Sequence, residues 1–247
     1  MGNLASALVT GASAGIGTAT VRALTAEGIQ VWAMARRTDR LQALAKETGC
    51  IPLVADVQDG PALDAALDGI TPDILVNSAG LGAGITGLLS ASREDLQTTI
   101  GTNVTALLDI TRIVLPGMIA RKRGHIVNIG SVAGLYPINS VVYGGSKGAV
   151  HLISQNLRLE LRGTGVRVTE INPGRVTTEF MEVAVPPDAA SFPKDLPIKS
   201  MTAEDIADAV TYAVTAPGHV NVSMIEMQPT EQSFGTIQFD PLEWAND

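Results

Sequence analysis

Short runs of apolar residues alternate along the chain with longer segments in which apolar residues recur every three or four positions. The short runs predict strands, which begin near Ser6, Gln30, Cys50, Asp73, Gly124, Arg167 and Asn221. The longer segments predict helices, which span residues 15–27, 37–47, 60–67, 92–119, 142–161 and 202–213. The chain is therefore expected to consist of repeated β–α units.

Most of the predicted strands are apolar at every position rather than at every second one. This pattern is typical of strands that helices cover on both faces, as in parallel sheets. We expect an α/β protein built on one doubly wound parallel sheet of about seven strands flanked by helices. No repeat, low-complexity tract or linker divides the sequence, so we predict a single domain over residues 1–247.

Two segments depart from this regular pattern. Residues 177–200 contain four prolines and no clear period. An irregular segment of this length in a compact domain is typical of a binding loop, so we expect a substrate lid at about 177–200. An acidic C-terminal tail is expected at about 228–247, since the stretch 226–247 holds five acids and no base. It fits either a solvated tail or a contact between subunits.

The composition narrows the class of protein. Hydrophobic residues make up 45% and charged residues 17% of the chain, a balance typical of compact proteins. The net charge of −8 argues against general binding to nucleic acid or membrane surfaces. The single cysteine, Cys50, permits no internal disulfide. With no leader-like start and no apolar run of about 18 residues, we expect a cytoplasmic protein. The three histidines lack partners at ligand spacing, so no metal site is expected.

The first predicted strand runs into the turn "TGASAGIG". Gly11, Gly15 and Gly17 lie in this turn, where the first helix opens. Glycines let backbone N–H groups approach a pyrophosphate, and the helix N-terminus adds the positive end of its dipole. Glycines also serve ordinary turns, but the strand–turn–helix context favours nucleotide binding.

The end of the second strand indicates which dinucleotide is bound. An acid at this place holds the adenosine ribose hydroxyls, whereas a basic residue suits a 2′-phosphate. Ala35 stands where the acid is expected, and Arg36 and Arg37 follow it. Two guanidiniums without a carboxylate favour NADP over NAD. The alternative is a solvated helix start, although cations there oppose the helix dipole.

The segment "VVYGGSKGAV" places Tyr143 and Lys147 four residues apart, on one face of a predicted helix. An ammonium near a phenol favours the phenolate, so this spacing suits an acid/base pair. For two residues on their own, an ordinary contact between tyrosine and lysine is the simpler explanation.

Five further motifs follow in a fixed order. They are "ADV" from Ala55, "NSAG" from Asn77, "GTNVTA" around Asn103, "IGS" ending at Ser131 and "NPGRVTTEF" from Asn172. Together with the glycine turn and "YGGSK", they make the chain resemble the short-chain dehydrogenase/reductase family along nearly its whole length. The resemblance implies a Rossmann-type fold and an NADP-dependent oxidoreductase that interconverts an alcohol and a carbonyl.

The resemblance also implies a catalytic set, Asn103, Ser131, Tyr143 and Lys147. Tyr143 would be the general acid in carbonyl reduction and the base in alcohol oxidation, while Ser131 holds the substrate oxygen. Lys147 would stabilise the phenolate and bond the nicotinamide ribose, and Asn103 would hold a water that connects Lys147 to solvent. An isolated tyrosine titrates near ~10. This value is too high for efficient proton exchange near neutral pH. We expect the positive charges of Lys147 and of the nicotinamide ring to lower the pKa of Tyr143.

Cofactor contacts follow from the same family pattern, with Asp56 facing the adenine amino group. The implied contacts are Gly11, Ser13, Gly15, Ile16, Gly17, Arg36, Arg37, Asp56, Val57, Asn77, Ala79, Gly80, Tyr143, Lys147, Pro173, Gly174, Val176 and Thr178. This sequence departs from the pattern at Ser78 and in the twelve-residue step from Ser131 to Tyr143, which is one shorter than usual. The shorter step puts the shape of the substrate pocket in question.

The stretch "HVNVSMIEMQPTEQSFG" from His219 is similar to one branch of the family. That branch contains serine and 3-hydroxy acid dehydrogenases, malonic semialdehyde reductases and sulfoacetaldehyde reductases. It favours a small hydroxy acid, or a related alcohol or aldehyde, as substrate. The candidate substrate contacts are Arg175, Phe180 and Met181. Arg175 suits a carboxylate or sulfonate, but pairing with Glu179 or with the backbone explains it as well.

Other functions stay open. A broad carbonyl reductase would line its pocket with Phe180, Met181 and Phe192. A 3-oxoacyl carrier-protein reductase is disfavoured, because Lys194 and Lys199 are the only bases in a lid with four acids. A regulator that binds NADP without catalysis would show a broken catalytic set. The family also implies a homotetramer or homodimer, formed through the long helices around Asn103 and Lys147.

Overall fold

Seven parallel strands form one sheet at the centre of the molecule. The computed structural model describes residues 4–185, 197–233 and 239–242. The strands are β1 (Ser6–Thr10), β2 (Gln30–Ala35), β3 (Ile51–Val54), β4 (Ile74–Asn77), β5 (Gly124–Ile129), β6 (Val166–Pro173) and β7 (Met224–Met227). Their order in the sheet is β3-β2-β1-β4-β5-β6-β7. This confirms the predicted doubly wound α/β fold.

The position of β1 fixes where a ligand can bind. Val9 of β1 pairs with Ala33 of β2 on one side and with Val76 of β4 on the other, all in parallel register. The strand order therefore reverses direction between β1 and β4. Ligands of such sheets bind in the crevice at the carboxyl ends of the strands beside this switch point.

Helices cover both faces of the sheet. They are α1 (Gly15–Ala26), α2 (Thr38–Thr48), α3 (Gly60–Leu67), α4 (Arg93–Ile100), α5 (Ala106–Ala120), α6 (Val132–Leu135), α7 (Val141–Glu160), α8 (Phe180–Ala184) and α9 (Ala203–Thr215). Ser92 and Thr202 begin α4 and α9 with reciprocal capping bonds to acids three residues later. These caps satisfy backbone donors that the first helical turn leaves free.

Two apolar layers form the core, one on each face of the sheet. In the first layer, Val21 and Leu24 of α1 and Ile206 of α9 pack on the sheet with less than one per cent exposure. In the second layer, Ile110 of α5 and Leu157 of α7 pack against the opposite face. Because every central strand is buried on both sides, its residues are apolar without alternation, as the sequence pattern indicated.

The sequence predicted one continuous helix over residues 92–119, and this continuity is wrong. A π-helix, Gly101–Thr105, separates α4 from α5. Such wide turns are frequent at functional sites, and Asn103 lies in this one. The short helices α6 and α8 are additional elements that the periodicity did not predict, since four or five residues are too few to establish a helical period.

The expected lid and tail fall partly outside the described residues. Of the lid at about 177–200, residues 177–185 and 197–200 are described, and Phe192 and Lys194 lie outside. Of the tail at about 228–247, residues 228–233 and 239–242 are described. In the described part of the tail, Glu231 accepts hydrogen bonds from the backbone N–H groups of Lys199 and Leu242, at 2.6 and 2.7 Å.

Candidate active site

The turn after β1 is shaped by close backbone contacts. Gly11 has a φ of 66°, and a Cβ there would lie 2.9 Å from the backbone of Ala79. A Cβ on Gly17 would lie 2.3 Å from the carbonyl oxygen of Gly11. Only glycine fits either place, because a side chain would separate the turn from α1 and from the β4 end. The N-terminus of α1 therefore points toward the crevice.

Thr10 ties this turn to the end of β4. Its hydroxyl accepts hydrogen bonds from the backbone N–H groups of Ser78 and Ala79, at 3.1 and 3.0 Å. The backbone of Ser78 makes this bond whatever its side chain, so the departure from the family residue at this position leaves the tie intact. The two strand ends on either side of the switch point are therefore held together.

Three arginines border the crevice beyond β2. Arg36 lies 3.5 Å from the carboxylate of Asp56. Arg37 donates from Nε to the Ser13 hydroxyl, at 2.9 Å, and from a terminal nitrogen to Glu179, also at 2.9 Å. Arg40 bonds the other oxygen of Glu179, at 2.5 Å. The two guanidiniums hold the pKa of the Glu179 carboxyl below its usual value. A carboxylate thus occupies the space between two cations, which shows that this place accepts an anion.

The sequence analysis did not assign Arg40 and Glu179 to this cluster. Arg40 lies one helical turn beyond Arg37 on α2, a spacing that would have identified it. Glu179 is more than 130 residues away in the chain, and the sequence analysis considered it only as a partner of Arg175. Only the fold brings it to the arginines.

A long cleft runs from these arginines across the switch point. Twelve of the expected cofactor contacts line it, namely Gly11, Ser13, Gly15, Ile16, Gly17, Arg36, Arg37, Asp56, Val57, Ala79, Gly80 and Thr178. Ala35, Gln58, Leu81, Gly82, Thr102 and Phe180 line it as well. One extended ligand therefore has room to contact all the strand ends from β2 to β4.

Six of the expected contacts are not in the lining of the cleft, namely Asn77, Tyr143, Lys147, Pro173, Gly174 and Val176. The side chain of Asn77 bonds Thr111 and Asn128 within the sheet, at 3.2 and 2.9 Å. The segment from Pro173 to Val176 is held by a bond from the Gly174 N–H to the carbonyl of Met227, at 2.7 Å. Val176 is bridged to Met201. These contacts fix the backbone after β6 at the end of the cleft.

Ser131 and Tyr143 meet at the ends of β5 and α7. The Ser131 hydroxyl lies near the phenol of Tyr143 and acts to lower its pKa. It accepts from the N–H of Ala133, at 3.1 Å, as the N-cap of α6, and it donates to the carbonyl of Pro173, at 3.5 Å. The one-turn helix α6 lies in the step between the two residues. The spacing that is one residue shorter than usual therefore still brings the two hydroxyls together.

Lys147 lies one helical turn below Tyr143 and is buried. Its Nζ donates to the carbonyl oxygen of Ile129, at 2.8 Å, and lies 6.0 Å from the centroid of the Tyr143 ring. Burial lowers the pKa of Lys147 to about 8, and the negative charge of Glu170 opposes this change. Lys147 therefore loses its proton closer to neutral pH than a free lysine does, and at pH 7 it is still mostly charged.

The pKa of Tyr143 differs from our expectation. Burial raises it above the ordinary value, and the hydrogen bond from Ser131 acts in the opposite direction with a smaller effect. The Lys147 Nζ lies over the Tyr143 ring, and it donates its hydrogen bond to the carbonyl of Ile129. The protein by itself therefore favours the protonated phenol, which is the form that donates a proton.

Asn103 joins this group from the π-helix. Its side-chain oxygen accepts from the N–H of Leu81, at 2.9 Å, and its amide nitrogen donates to the carbonyl of Leu81 and to the Ser146 hydroxyl. Ser146 in turn bonds the carbonyl of Tyr143, at 2.8 Å. Asn103 therefore links the loop after β4 to the first turn of α7.

Phe180 and Met181 stand next to the phenol. The rings of Phe180 and Tyr143 have centroids 5.3 Å apart and are tilted by 52°. Both residues pack with Ile85 into a small apolar cluster that includes Tyr143. An apolar wall thus flanks the hydroxyl pair.

Arg175 is fixed through its backbone, since its N–H donates to the side-chain oxygen of Gln232, at 2.8 Å.

The sequence matches a known family over most of its length. A profile described as short chain dehydrogenase covers residues 5–188. This chain belongs to the short-chain dehydrogenase family. The assignment confirms the resemblance on which the residues above were selected.

Relatives in this family share the whole fold with the chain. The NADP-dependent 3-hydroxy acid dehydrogenase YdfG of Salmonella typhi is 44% identical over 240 residues, which cover 93% of this chain and 97% of the relative. Serine 3-dehydrogenase of Agrobacterium fabrum is 40% identical, over 94% and 96%. The closed form of a serine dehydrogenase complexed with NADP+ superposes with a TM-score of 0.87, at 40% identity, over 98% of this chain and 100% of that one. This short-chain dehydrogenase therefore falls in the branch that the C-terminal stretch indicated.

Proposed function

We propose that the protein is an NADP-dependent dehydrogenase that interconverts a small hydroxy acid and its carbonyl form. The observation that carries this proposal is the group formed by buried Ser131 and Lys147 with partly buried Tyr143, next to the cleft that the glycine turn and the arginines line. NADP would accept or supply the hydride. The chain's own residues would position the substrate and move the proton.

The proton step follows from the site geometry. A substrate carbonyl oxygen placed between Ser131 and Tyr143 accepts hydrogen bonds from both hydroxyls. Because burial favours its protonated form, Tyr143 donates its proton to this oxygen as hydride reaches the carbon. Lys147 stabilises the resulting phenolate by its charge, and Asn103 holds the start of α7 in place. In alcohol oxidation the same groups act in reverse.

The cleft suits NADP in particular. Its glycine turn leaves room for a pyrophosphate at the N-terminus of α1. The place between Arg37 and Arg40 already accepts the carboxylate of Glu179, and a 2′-phosphate requires the same kind of place. We infer that Arg37 and Arg40, with Arg36 nearby, bind this phosphate.

The substrate assignment follows from the relatives and from the site. Relatives covering nearly the whole chain are named for 3-hydroxy acids and for serine. Phe180 and Met181 leave an apolar wall beside Tyr143 that suits the short carbon chain of such a molecule. We infer that Arg175, next to the segment after β6, binds the substrate carboxylate, since a buried anion needs a charged partner.

A substrate panel tests this function. Purified protein is mixed with NADP+ or NAD+ and with serine, 3-hydroxy acids, a hydroxysulfonate and neutral alcohols of matched size. Formation of reduced nicotinamide is followed by absorbance. We expect turnover with NADP+ that is highest for a hydroxy acid. Higher kcat/KM for bulky neutral alcohols would reject the substrate assignment, and cofactor binding without any turnover would reject the enzyme.

Arg175 has a separate test. Arg175→Met should raise KM for the acid far more than for a neutral alcohol of equal size, with kcat less affected, because it removes a contact made equally in the ground and transition states. Equal losses for both substrates would assign Arg175 a structural role only.

We also infer a cytoplasmic homotetramer or homodimer. The helical stretch Arg93–Ala120 is long and apolar enough to cross a membrane by length and composition alone. One face of it packs on the sheet in the second core layer. On the outside it exposes Ile100, Leu108 and Ile119, and α7 exposes Leu152 and Leu159. Apolar residues on the outer faces of both long helices favour contacts between subunits.

A further inference from the structure

A carboxylate that the proton step does not use lies buried behind the catalytic lysine. Glu170, on β6, has no solvent exposure. One of its oxygens lies 2.8 Å from Nδ1 of His151, and the other has no hydrogen-bond partner among the described residues. Glutamate is rarely buried without a reason, because removing the charge from water is costly.

Glu170 lies close to the segment Ile129–Gly130, which also binds the ammonium of Lys147. The ammonium of Lys147 donates to the carbonyl of Ile129. The free oxygen of Glu170 lies 2.7 Å from the position that a Cβ on Gly130 would occupy. The carboxylate therefore lies against Gly130, the residue after Ile129, and a side chain at position 130 would leave no room for it.

His151 connects this carboxylate to the helix of the lysine. It lies four residues after Lys147 on α7, on the same helical face. Its Nδ1 contacts Glu170, and its Nε2 contacts the Gln155 side chain, at 2.7 Å. The imidazole thus holds the carboxylate on one side and reaches the protein surface on the other.

We propose that Glu170, held by His151, is a positioning residue that stabilises the ammonium form of Lys147. A buried negative charge near a buried amine favours the charged amine. The direction of the interaction agrees, since the charge of Glu170 opposes the lowering of the Lys147 pKa. The consequence for the enzyme, which rests on the proposed function, is a wider pH range in which Lys147 can stabilise the Tyr143 phenolate.

Other charged groups near Glu170 are accounted for. Arg158, two turns further along α7, interacts with Glu170 but donates to the carbonyl of Ser223 at the sheet edge. On β5 the facing residue is Asn128, which is neutral, and on β7 it is Met224. Glu226 of β7 bonds the phenol of Tyr136. Lys147 is therefore the buried cation on which the charge of Glu170 acts.

The test is a direct titration of Lys147. The chain has five lysines, so ¹³C-labelled lysine gives few side-chain signals, and Lys147→Arg identifies the one of interest. In the wild type we expect a titration near the value of about 8. In Glu170→Gln it should fall by roughly 0.5–1.5 pH units, the effect of one charge several ångströms away in a protein interior. His151→Ala should lower it as well, because the carboxylate then loses the imidazole that holds it in place.

The pH profile gives the matching enzymatic readout. The alkaline limb of kcat/KM for carbonyl reduction should move to lower pH by a similar amount in both variants. Asp73→Asn is the matched control: it removes a buried carboxylate at the opposite end of the strands, paired with Arg123 at 2.9 Å, and should lower stability without moving the Lys147 titration.

The outcomes separate this inference from the proposed function. An unchanged Lys147 titration in folded Glu170→Gln and His151→Ala would overturn the inference, whatever the activity. An equal shift in Asp73→Asn would overturn it too, by showing a general effect of destabilisation. A shifted titration in a protein without NADPH turnover would leave the inference standing and reject the proposed function.

Discussion

Tyr143 is the residue whose chemistry is hardest to replace. It is the proton donor of the proposed reaction, and it contacts Ser131 and Phe180. Tyr143→Phe removes only the hydroxyl and keeps the ring packing. We expect turnover to fall to below a few per cent while NADPH affinity, measured by fluorescence, changes little. Tyr212→Phe, at an exposed tyrosine of α9, is the control. Retained turnover in Tyr143→Phe would remove the assigned role.

Arg36 and Arg37 decide which dinucleotide binds. A charge-assisted hydrogen bond to a phosphate is worth about 1.5–3 kcal/mol. The double variant Arg36→Asp with Arg37→Ala should therefore lose at least ~10-fold in NADP affinity and gain preference for NAD. Arg22→Ala is the control. It breaks an exposed ion pair between Arg22 on α1 and Glu47 on α2, and it should change neither affinity. Calorimetric titration of both cofactors measures this, and equal wild-type affinities for NADP and NAD would refute it.

At the residue scale, sequence spacing predicted what lies within one motif and missed what the fold brings together. Tyr143 and Lys147 are one turn apart on one helix, so the sequence placed them correctly. The contact of Glu179 with Arg37 and Arg40 joins residues far apart in the chain. Burial, which sequence spacing does not report, raises the pKa of Tyr143 in the protein alone, whereas the lowering expected from the sequence also depends on the positive nicotinamide ring.

At the element scale, β5 carries a buried histidine away from the catalytic group. His125 is fully buried, and its Nε2 contacts the Thr169 hydroxyl at 2.7 Å. Burial lowers its pKa to about 3. Since the unfolded chain takes up this proton near pH ~6.5, His125 reduces stability progressively as the pH falls from about 6.5 toward 3.

Removing His125 should therefore flatten the acid side of the stability curve. In His125→Asn, the difference in unfolding free energy between pH 7 and pH 4 should shrink by about 2–3 kcal/mol. Urea denaturation at both pH values measures this. His219→Asn, at an exposed histidine, is the control. An unchanged difference in His125→Asn would contradict the buried neutral imidazole.

The elements also show which signals a sequence contains. Apolar runs predicted all seven strands, and the pattern is clearest in β1, β4 and β5, which are buried on both faces. The π-helix at Gly101–Thr105 was missed, because one extra residue in a turn barely changes the periodicity of the apolar residues around it. It is nonetheless the element that orients Asn103 toward Leu81 and Ser146.

At the scale of the whole molecule, the exposed apolar faces of α5 and α7 predict association. Light scattering should give a mass two or four times the 25.7 kDa of the chain. Leu152→Arg with Leu159→Arg should lower this mass, because two buried cations oppose an apolar interface. Val54→Glu, on edge strand β3, should not. A wild-type monomer at micromolar concentration would refute the predicted assembly.

The central claim is hydride transfer between a hydroxy acid and NADP. Its most direct test uses a 3-hydroxy acid that carries deuterium on the hydroxyl-bearing carbon, with NADP+ as acceptor. We expect deuterium to appear on the nicotinamide ring of the NADPH formed, detected by mass spectrometry and NMR. Reduction without deuterium transfer, or no reduction of NADP+ by any hydroxy acid, would contradict it.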